Sequence, residues 1–335
     1  MDTNNTPKPQ NDEESYEVIT VTPRTPSLTS QRRKLTIWVK RLTHNKHVIM
    51  FVLPIFGLII VWCHYVEPNR IILRKEAIYV SELNQGIVLK KPIRILHLSD
   101  FHLGTKASVL RLQEVVEKGL KLNPDLVFIT GDTSFPVDPS LQEVTMSYLS
   151  YMSANIPTFA CLGNHDYYKR SNVPHADVIE LYQKCGVWLM QDEARGFIVN
   201  GNSIRIAGVT DYKLGAFRPD KCLKPNNFYD NQRMKPLTLL LSHNADSMFS
   251  MKIYNWDIMF SGHTHAGQFR VPFTHFCPAA PVRHRQFADR GLYLLENNRF
   301  LNVSAGIGNY LELRLNCYPE ITVIDILPDD DSPKP

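Results

Sequence analysis

Apolar positions along this chain fall into three regimes. Residues 48–66 (VIMFVLPIFGLIIVWCHYV) are 19 positions without a formal charge. A helix of that length rises roughly 28 Å, close to the ~30 Å hydrocarbon core of a bilayer. Pro54 and Gly57 are tolerated in a membrane helix, and Trp62 and Tyr65 suit an interface. Because 47 residues precede the run and no small-residue cleavage site follows it, it reads as one membrane anchor and not as a cleaved signal peptide. Residues 1–31 are rich in Thr, Pro, Ser, Asn and acids and bury too little apolar surface to offset their ordering entropy, so 1–47 reads as a disordered, basic-flanked tail.

From residue 67 to the end the pattern changes to short β-branched runs alternating with helical spacing. Strands are predicted at 93–98, 126–130, 157–162, 203–209, 237–241, 257–260, 292–295 and 321–326. Helices are predicted at 108–122, where Val109, Leu110, Leu112, Val115, Val116 and Leu120 share a face, and at 140–153. Alternating strands and helices followed by strand-rich sequence predict an α/β domain of two packed sheets with helices outside.

Charge narrows the partners. The chain has 37 Lys+Arg against 33 Asp+Glu, a net +4. Eight basic and five acidic residues lie in 1–47, so the remainder is nearly neutral and nucleic acid is not an expected partner. The six cysteines at 63, 161, 185, 222, 277 and 317 show no Cys-x-x-Cys spacing. That usage argues against a disulfide framework and favours a reducing compartment. The flanks of the apolar run point the other way. Arg32, Arg33, Lys34, Lys40, Arg41 and Lys46 precede it, against Arg70, Arg74 and Lys75 after it. The positive-inside rule would therefore place the domain outside.

The candidate chemistry sits where apolar strands end. Asp100-Phe101-His102, Gly131-Asp132, Gly163-Asn164-His165-Asp166, Ser242-His243 and Gly262-His263-Thr264-His265 each follow a predicted strand. Carboxyl ends of strands in α/β sheets share one edge, where ligands bind, so five distant clusters can converge. Asp100, Asp132, Asn164, His102, His243, His263 and His265 supply oxygen and imidazole donors suited to divalent Mn, Fe or Zn. Seven donors exceed one tetrahedral zinc and suit two metals sharing a carboxylate. Each cluster alone is a common motif; their joint order at strand ends is the specific signal.

That ordered set resembles the signature of the calcineurin-like metallophosphoesterases, from Asp-x-His through Gly-Asp, Gly-Asn-His-Asp and a lone His to Gly-His-x-His. The resemblance implies a four-layer α/β/β/α sandwich over 67–335 and a metal-dependent phosphoester hydrolase. It implies that Asp100, His102 and His265 hold one metal, that Asn164, His243 and His263 hold the other, and that Asp132 bridges them. Mn²⁺ is the implied ion, with Fe or Zn as alternatives. His165 would contact phosphate or protonate the leaving oxygen, and Asp166 would orient its ring. The segments His263-Thr264-His265-Ala266-Gly267-Gln268, Ser304-Ala305-Gly306-Ile307-Gly308 and Arg314-Leu315-Asn316-Cys317-Tyr318-Pro319-Glu320-Ile321 resemble the membrane-associated phosphodiesterase branch, that of the LpxG-type UDP-2,3-diacylglucosamine pyrophosphatases. Ala266 stands where that branch often has glycine. Gly131-Asp132-Thr133-Ser134-Phe135-Pro136 departs from the Gly-Asp-x-x-Asp-Arg-Gly of the protein phosphatases. The branch implies a lipid-linked nucleotide-sugar phosphate as substrate and the bilayer as partner. Because UDP-sugars are cytoplasmic, it implies an inner-membrane protein whose domain faces the cytoplasm. The alternatives are a broader envelope or phospholipid phosphodiesterase and a non-catalytic scaffold of the same fold. Basic residues of the long loops (Arg218, Lys221, Lys224, Arg270, Arg283, His284, Arg285, Arg290) are candidates for gripping a diphosphate, Arg283 and Arg285 foremost.

Overall fold

The computed structural model describes residues 48–84, 86–134, 138–168, 175–229, 234–272, 274, 276–278, 280–284, 290–309 and 312–329. The tail assigned to 1–47 and Arg285 lie outside the described residues. The chain divides into two compact units, 1–58 and 59–335. The predicted apolar segment is helical. Met50–Asn69 is long and apolar enough to cross a membrane, with a mean hydropathy of 1.8 and 11% of its most apolar stretch buried. Its central turns, Leu53–Val61, bury no residue.

The second unit carries the strands β1 (Ile72–Tyr79), β2 (Ile93–Leu98), β3 (Leu126–Thr130), β4 (Thr158–Cys161), β5 (Trp188–Leu189), β6 (Glu193–Val199), β7 (Asn202–Gly208), β8 (Leu237–Leu241), β9 (Ile258–Ser261), β10 (Gly291–Leu295), β11 (Arg299–Val303) and β12 (Glu320–Leu327). They form two six-stranded mixed sheets, ordered β1-β12-β2-β3-β4-β5 and β10-β11-β9-β8-β7-β6. β2, β3 and β4 run parallel in the first sheet, and β7, β8, β9 and β11 in the second.

Alternate side chains of each central strand serve two cores, which is why these strands read as unbroken apolar runs. Ile93, Ile95, Leu126, Phe128, Phe159 and Cys161 point between the sheets and meet Leu237, Leu239, Leu241, Ile258 and Phe260. Leu96, Leu98, Val127, Ile129, Ala160 and Leu162 face the other way, against Leu112, Val115, Val116, Leu149, Met152 and Leu181. Those partners come from the helices Lys106–Leu120, Pro139–Asn155 and Ala176–Lys184. The Lys106–Leu120 helix is capped by Thr105, whose side chain accepts from the Ser108 amide. The outer face of the second sheet is covered more thinly, by the turns Pro219–Cys222 and Ser247–Ser250 and by Met248, Met251 and Trp256.

Prediction from the sequence missed β1, β5, β6, β11 and the helix Ala176–Lys184. β1 and β6 are edge strands with charged residues and little buried surface, so they lack an apolar run.

Phe128 lies between the sheets, 0% exposed, its ring 4.9 Å from Phe260 and 6.1 Å from Phe159. Phe128→Ala should cost about 3–5 kcal/mol, measured as a lower urea midpoint at unchanged slope.

Candidate metal centre

Five of the seven donors sit in left-handed backbone: Asp100 (φ 53°), His102 (48°), Asp132 (52°), His263 (68°) and His265 (49°). Such residues cost roughly 1–3 kcal/mol each and persist only where surroundings over-determine them. Here the strand ends hold one another. The Asp100 amide donates to Gly131 O at 3.0 Å, the His102 amide to Asp132 O at 2.9 Å, and the His165 amide to Asp132 Oδ1 at 2.7 Å. The His263 amide donates to the Asp100 carboxylate, 3.0 Å from Oδ2 and 3.2 Å from Oδ1. Gly163 and Gly262 admit this approach: a Cβ on Gly163 would lie 2.3 Å from Asp132 Oδ1, and one on Gly262 would lie 1.9 Å from Ser99 Oγ.

The donors gather into two groups, Asp100–His102–His265 and Asp132–His243–His263, each with ligand atoms within 4.8 Å of one another. Asp132 Oδ2 lies 3.1 Å from His243 Nε2 and 3.8 Å from His102 Nε2, between the groups. His102 Nε2 and His265 Nε2 face each other at 3.1 Å. His243 Nδ1 is 2.7 Å from the Thr130 carbonyl, a bond that places its proton there and leaves Nε2 for a ligand. Asn164 Oδ1 is buried with no hydrogen-bond partner. An orphaned amide oxygen beside two carboxylates and four imidazoles fits a pair of divalent cations.

Electrostatics agree. Burial, with the charges of His243 and Lys213, lowers His263 to about 3; burial and His102 hold His265 well below its usual range. Both rings are therefore neutral, the form that binds metal. Burial alone would also lower His243, yet the Asp132 charge and hydrogen bond raise it to about 10. Loading a metal at neutral pH must release that proton.

A cleft of about 420 Å³ opens over the centre, lined by Asp132, Asn164, His165, Lys213, His263 and His265 among others. His165 is exposed at its mouth, its ring centroid 5.2 Å from that of His102. The Asp166 carboxylate receives the amides of Gly163 and Ser134, both at 2.9 Å, and so shapes the turn that carries Asn164 and His165. Sequence reasoning missed Lys213, whose Nζ lies 2.9 Å from both His263 Nε2 and the Pro281 carbonyl. One cation in a loop of the second sheet carries no motif, and only the fold brings it to the cleft. Among the described lining residues Arg283 is absent; it is exposed, and its amide donates to Asp246 Oδ2 at 2.9 Å. A second cavity of about 300 Å³, lined by Met248, Trp256, Leu294 and Arg299, contains none of the strand-end donors.

Two mixed sheets with Asp, Asn and His donors gathered at their strand ends define a hydrolase of the dinuclear-metal type. The calcineurin-like phosphoesterase model matches residues 93–267, and the chain belongs to that family. It is 30% identical over 267 residues to the phosphodiesterase YaeI of Escherichia coli, covering 79% of this chain and 92% of that one. It is 26% identical over 321 residues to the UDP-2,3-diacylglucosamine pyrophosphatase LpxG of Chlamydia trachomatis, covering 80% of this chain and 92% of that one. Among solved structures, the NAD nucleotidase of Haemophilus influenzae aligns with a TM-score of 0.42 at 15% identity, covering 65% of this chain and 46% of that one. The family's dinuclear centre accords with the two donor groups.

Gly262→Ala would drive a methyl into Ser99 and Asp100. Metal affinity should fall about 10–100-fold, read as sub-stoichiometric metal by mass spectrometry in a protein that keeps its circular dichroism.

Proposed function

We propose that the chain is a membrane-anchored dimetal phosphodiesterase that hydrolyses the pyrophosphate of a lipid-linked nucleotide sugar, UDP-2,3-diacylglucosamine, to UMP and 2,3-diacylglucosamine 1-phosphate. The observation that carries the reading is the gathering of six donors into two groups with Asp132 between them, and the orphaned Asn164 oxygen at the same cleft. In the assignment, Asp100, His102 and His265 would hold one ion, Asn164, His243 and His263 the other, and Asp132 would be shared between them, with Mn²⁺ as the expected ion and Fe or Zn as alternatives for this mixed set of oxygen and imidazole donors. Bound there, such a pair would supply an ionised water and neutralise phosphoryl oxygens. His165, at the cleft mouth and outside both donor groups, gives a proton to the leaving oxygen or a hydrogen bond to phosphate. The Lys213 ammonium, beside His263 in the cleft lining, would be available to neutralise a second phosphate oxygen.

Lipid linkage is supported from the other side of the centre. Arg314 N donates to Cys63 O at 2.9 Å, and Glu67, 1% exposed, accepts from Trp62 Nε1 at 3.0 Å and from the Cys317 amide. Cys317 Sγ in turn lies 3.1 Å from the His265 carbonyl. The last turns of the apolar helix are thus two residues from a donor of the centre. Phe269, Val271 and Phe276, beside the cleft-lining Gln268, are 38%, 42% and 57% exposed, an apolar edge suited to acyl chains. The similarity to phosphodiesterase YaeI favours a second reading, a broader envelope or phospholipid phosphodiesterase. The domain is assigned to the cytoplasmic side, where UDP-sugars are made, and its Cys161, Cys185, Cys222 and Cys317 are free and buried.

The full chain in detergent, loaded with Mn²⁺, should release UMP from UDP-2,3-diacylglucosamine. Hydrolysis of bis-p-nitrophenyl phosphate without UMP release would favour the broader reading, and neither activity in a metal-loaded protein would leave a scaffold. Asp132→Ala should lose metal and at least ~10³-fold in rate, whereas His165→Ala should keep metal and lose ~10²–10⁴-fold. Parallel loss of metal in His165→Ala would move that ring into the donor set. Protease added to intact spheroplasts should spare the domain; its digestion would reverse the assigned side.

A further inference from the structure

Behind Asp100, buried polar side chains form one line that crosses the seam between the sheets. Arg74 Nη2 on β1 donates to Asn302 Oδ1 on β11 at 2.7 Å. Asn302 Nδ2 lies 2.6 Å from His97 Nδ1 on β2, and His97 Nε2 lies 2.8 Å from Thr130 Oγ1 at the end of β3. Thr130 Oγ1 donates to Ser99 Oγ at 2.8 Å, and Ser99 Oγ donates to Asp100 Oδ2 at 2.6 Å. Asn302, His97, Thr130, Ser99 and Asp100 are all 0% exposed.

The two ends fix every proton between them. A guanidinium only donates, so Asn302 must turn its oxygen to Arg74 and its NH₂ to His97. His97 Nδ1 is then an acceptor and its proton sits on Nε2, which donates to Thr130. Thr130 can pass its own hydroxyl proton only to Ser99. Ser99 has two acceptors in reach, the Thr130 carbonyl at 2.9 Å and the closer Asp100 Oδ2 at 2.6 Å. The direction requires a neutral His97, and burial with the nearby Arg74 charge lowers that ring to about 3.

We propose that this line is the positioning element for Asp100: it commits Oδ2 to Ser99, with the His263 amide 3.0 Å from Oδ2 and 3.2 Å from Oδ1, and leaves Oδ1 facing His265 Nε2, 3.4 Å away, as the metal-binding oxygen. Arg74, Asn302, His97, Thr130 and Ser99 are positioning residues, for none of them belongs to either donor group. The line also couples the packing of the two sheets to the centre, since Asn302 belongs to one sheet and the other members to its partner. The inference rests on the metal-centre assignment but not on the proposed substrate. A chain that binds two metals and hydrolyses no diester overturns the substrate alone.

Thr130→Val keeps the shape of the side chain and cuts the line at its middle, whereas Thr130→Ser keeps the hydroxyl. Titration of Mn²⁺ into the metal-free full chain should show affinity at one site about 10–100-fold weaker for Thr130→Val and near wild type for Thr130→Ser. Asn302→Leu, which touches no donor of the centre, should weaken the same site. Selective ¹⁵N-histidine spectra of the wild-type chain should show His97 neutral with its proton on Nε2 from pH 5 to 9. Wild-type Mn²⁺ affinity in folded Thr130→Val or Asn302→Leu overturns the proposal. So does a wild-type His97 that carries its proton on Nδ1 or is charged at neutral pH, a result that decides the matter even if neither variant folds.

Discussion

Two buried carboxylates at the seam of the sheets are the constraint around which this domain is arranged. Asp100 and Asp132 are 0% and 1% exposed. Burial raises Asp100, while at Asp132 it opposes the charges of His243, His102 and His165, which together bring that group well below its usual range. Ionised carboxylates with no cation are costly in such a place. Backbone amides offset part of that cost, and the imidazoles that face them are mostly neutral. The remaining charge is what makes the site a receptor for cations. Any arrangement that gave these carboxylates lysine or arginine partners would have made a better core and a worse metal centre.

Strain follows from the same constraint. Donors from strands of two sheets reach one volume only if each chain turns sharply as its strand ends. The turns are made in left-handed conformation by Asp and His, residues that bear the cost less easily than glycine. The amide bonds among Gly131, Asp132, Asp100 and His263 hold these turns in place, so the same contacts stabilise the backbone and set the donor spacing. Loading the ions would displace the proton that His243 shares with Asp132, the Lys213 contact and the contact between His102 Nε2 and His265 Nε2.

Much of this was legible in the sequence because two signals are local. Strands covered on both faces read as apolar runs, and β2, β3, β4, β8 and β9 were placed nearly to the residue. The polar clusters lie within a few residues of those strand ends, so the converging donors could be named before the fold was known. What was illegible is relational. Edge strands such as β6 lack a burial signal. Lys213 enters the cleft from a loop distant from every motif. The line from Arg74 to Asp100 joins residues up to 228 positions apart, each an ordinary polar residue in its own segment. Ala266 shows both sides. The sequence marks it only as a departure from a common glycine, and the structure puts it at φ 48°, where glycine would be unstrained.

Placing the strain and the charge at one edge has a consequence for substrate choice. The cleft floor is built from groups committed to cations, so it reads only the phosphate, and selectivity must come from the walls. The cleft lining carries Lys213 and His165, which under the proposed function address the charge and the leaving oxygen of a phosphoester. Beside the cleft-lining Gln268, the exposed Phe269, Val271 and Phe276 form an apolar edge. Through the Phe269–Leu315 bridge and the Arg314–Cys63 bond it continues to the apolar helix. Under the proposed function, a substrate that meets both the cleft and this edge carries phosphate at one end and hydrocarbon at the other. On that proposal a phosphoprotein or a nucleic acid would leave the apolar edge wet, which is the physical argument for a reaction at a lipid surface.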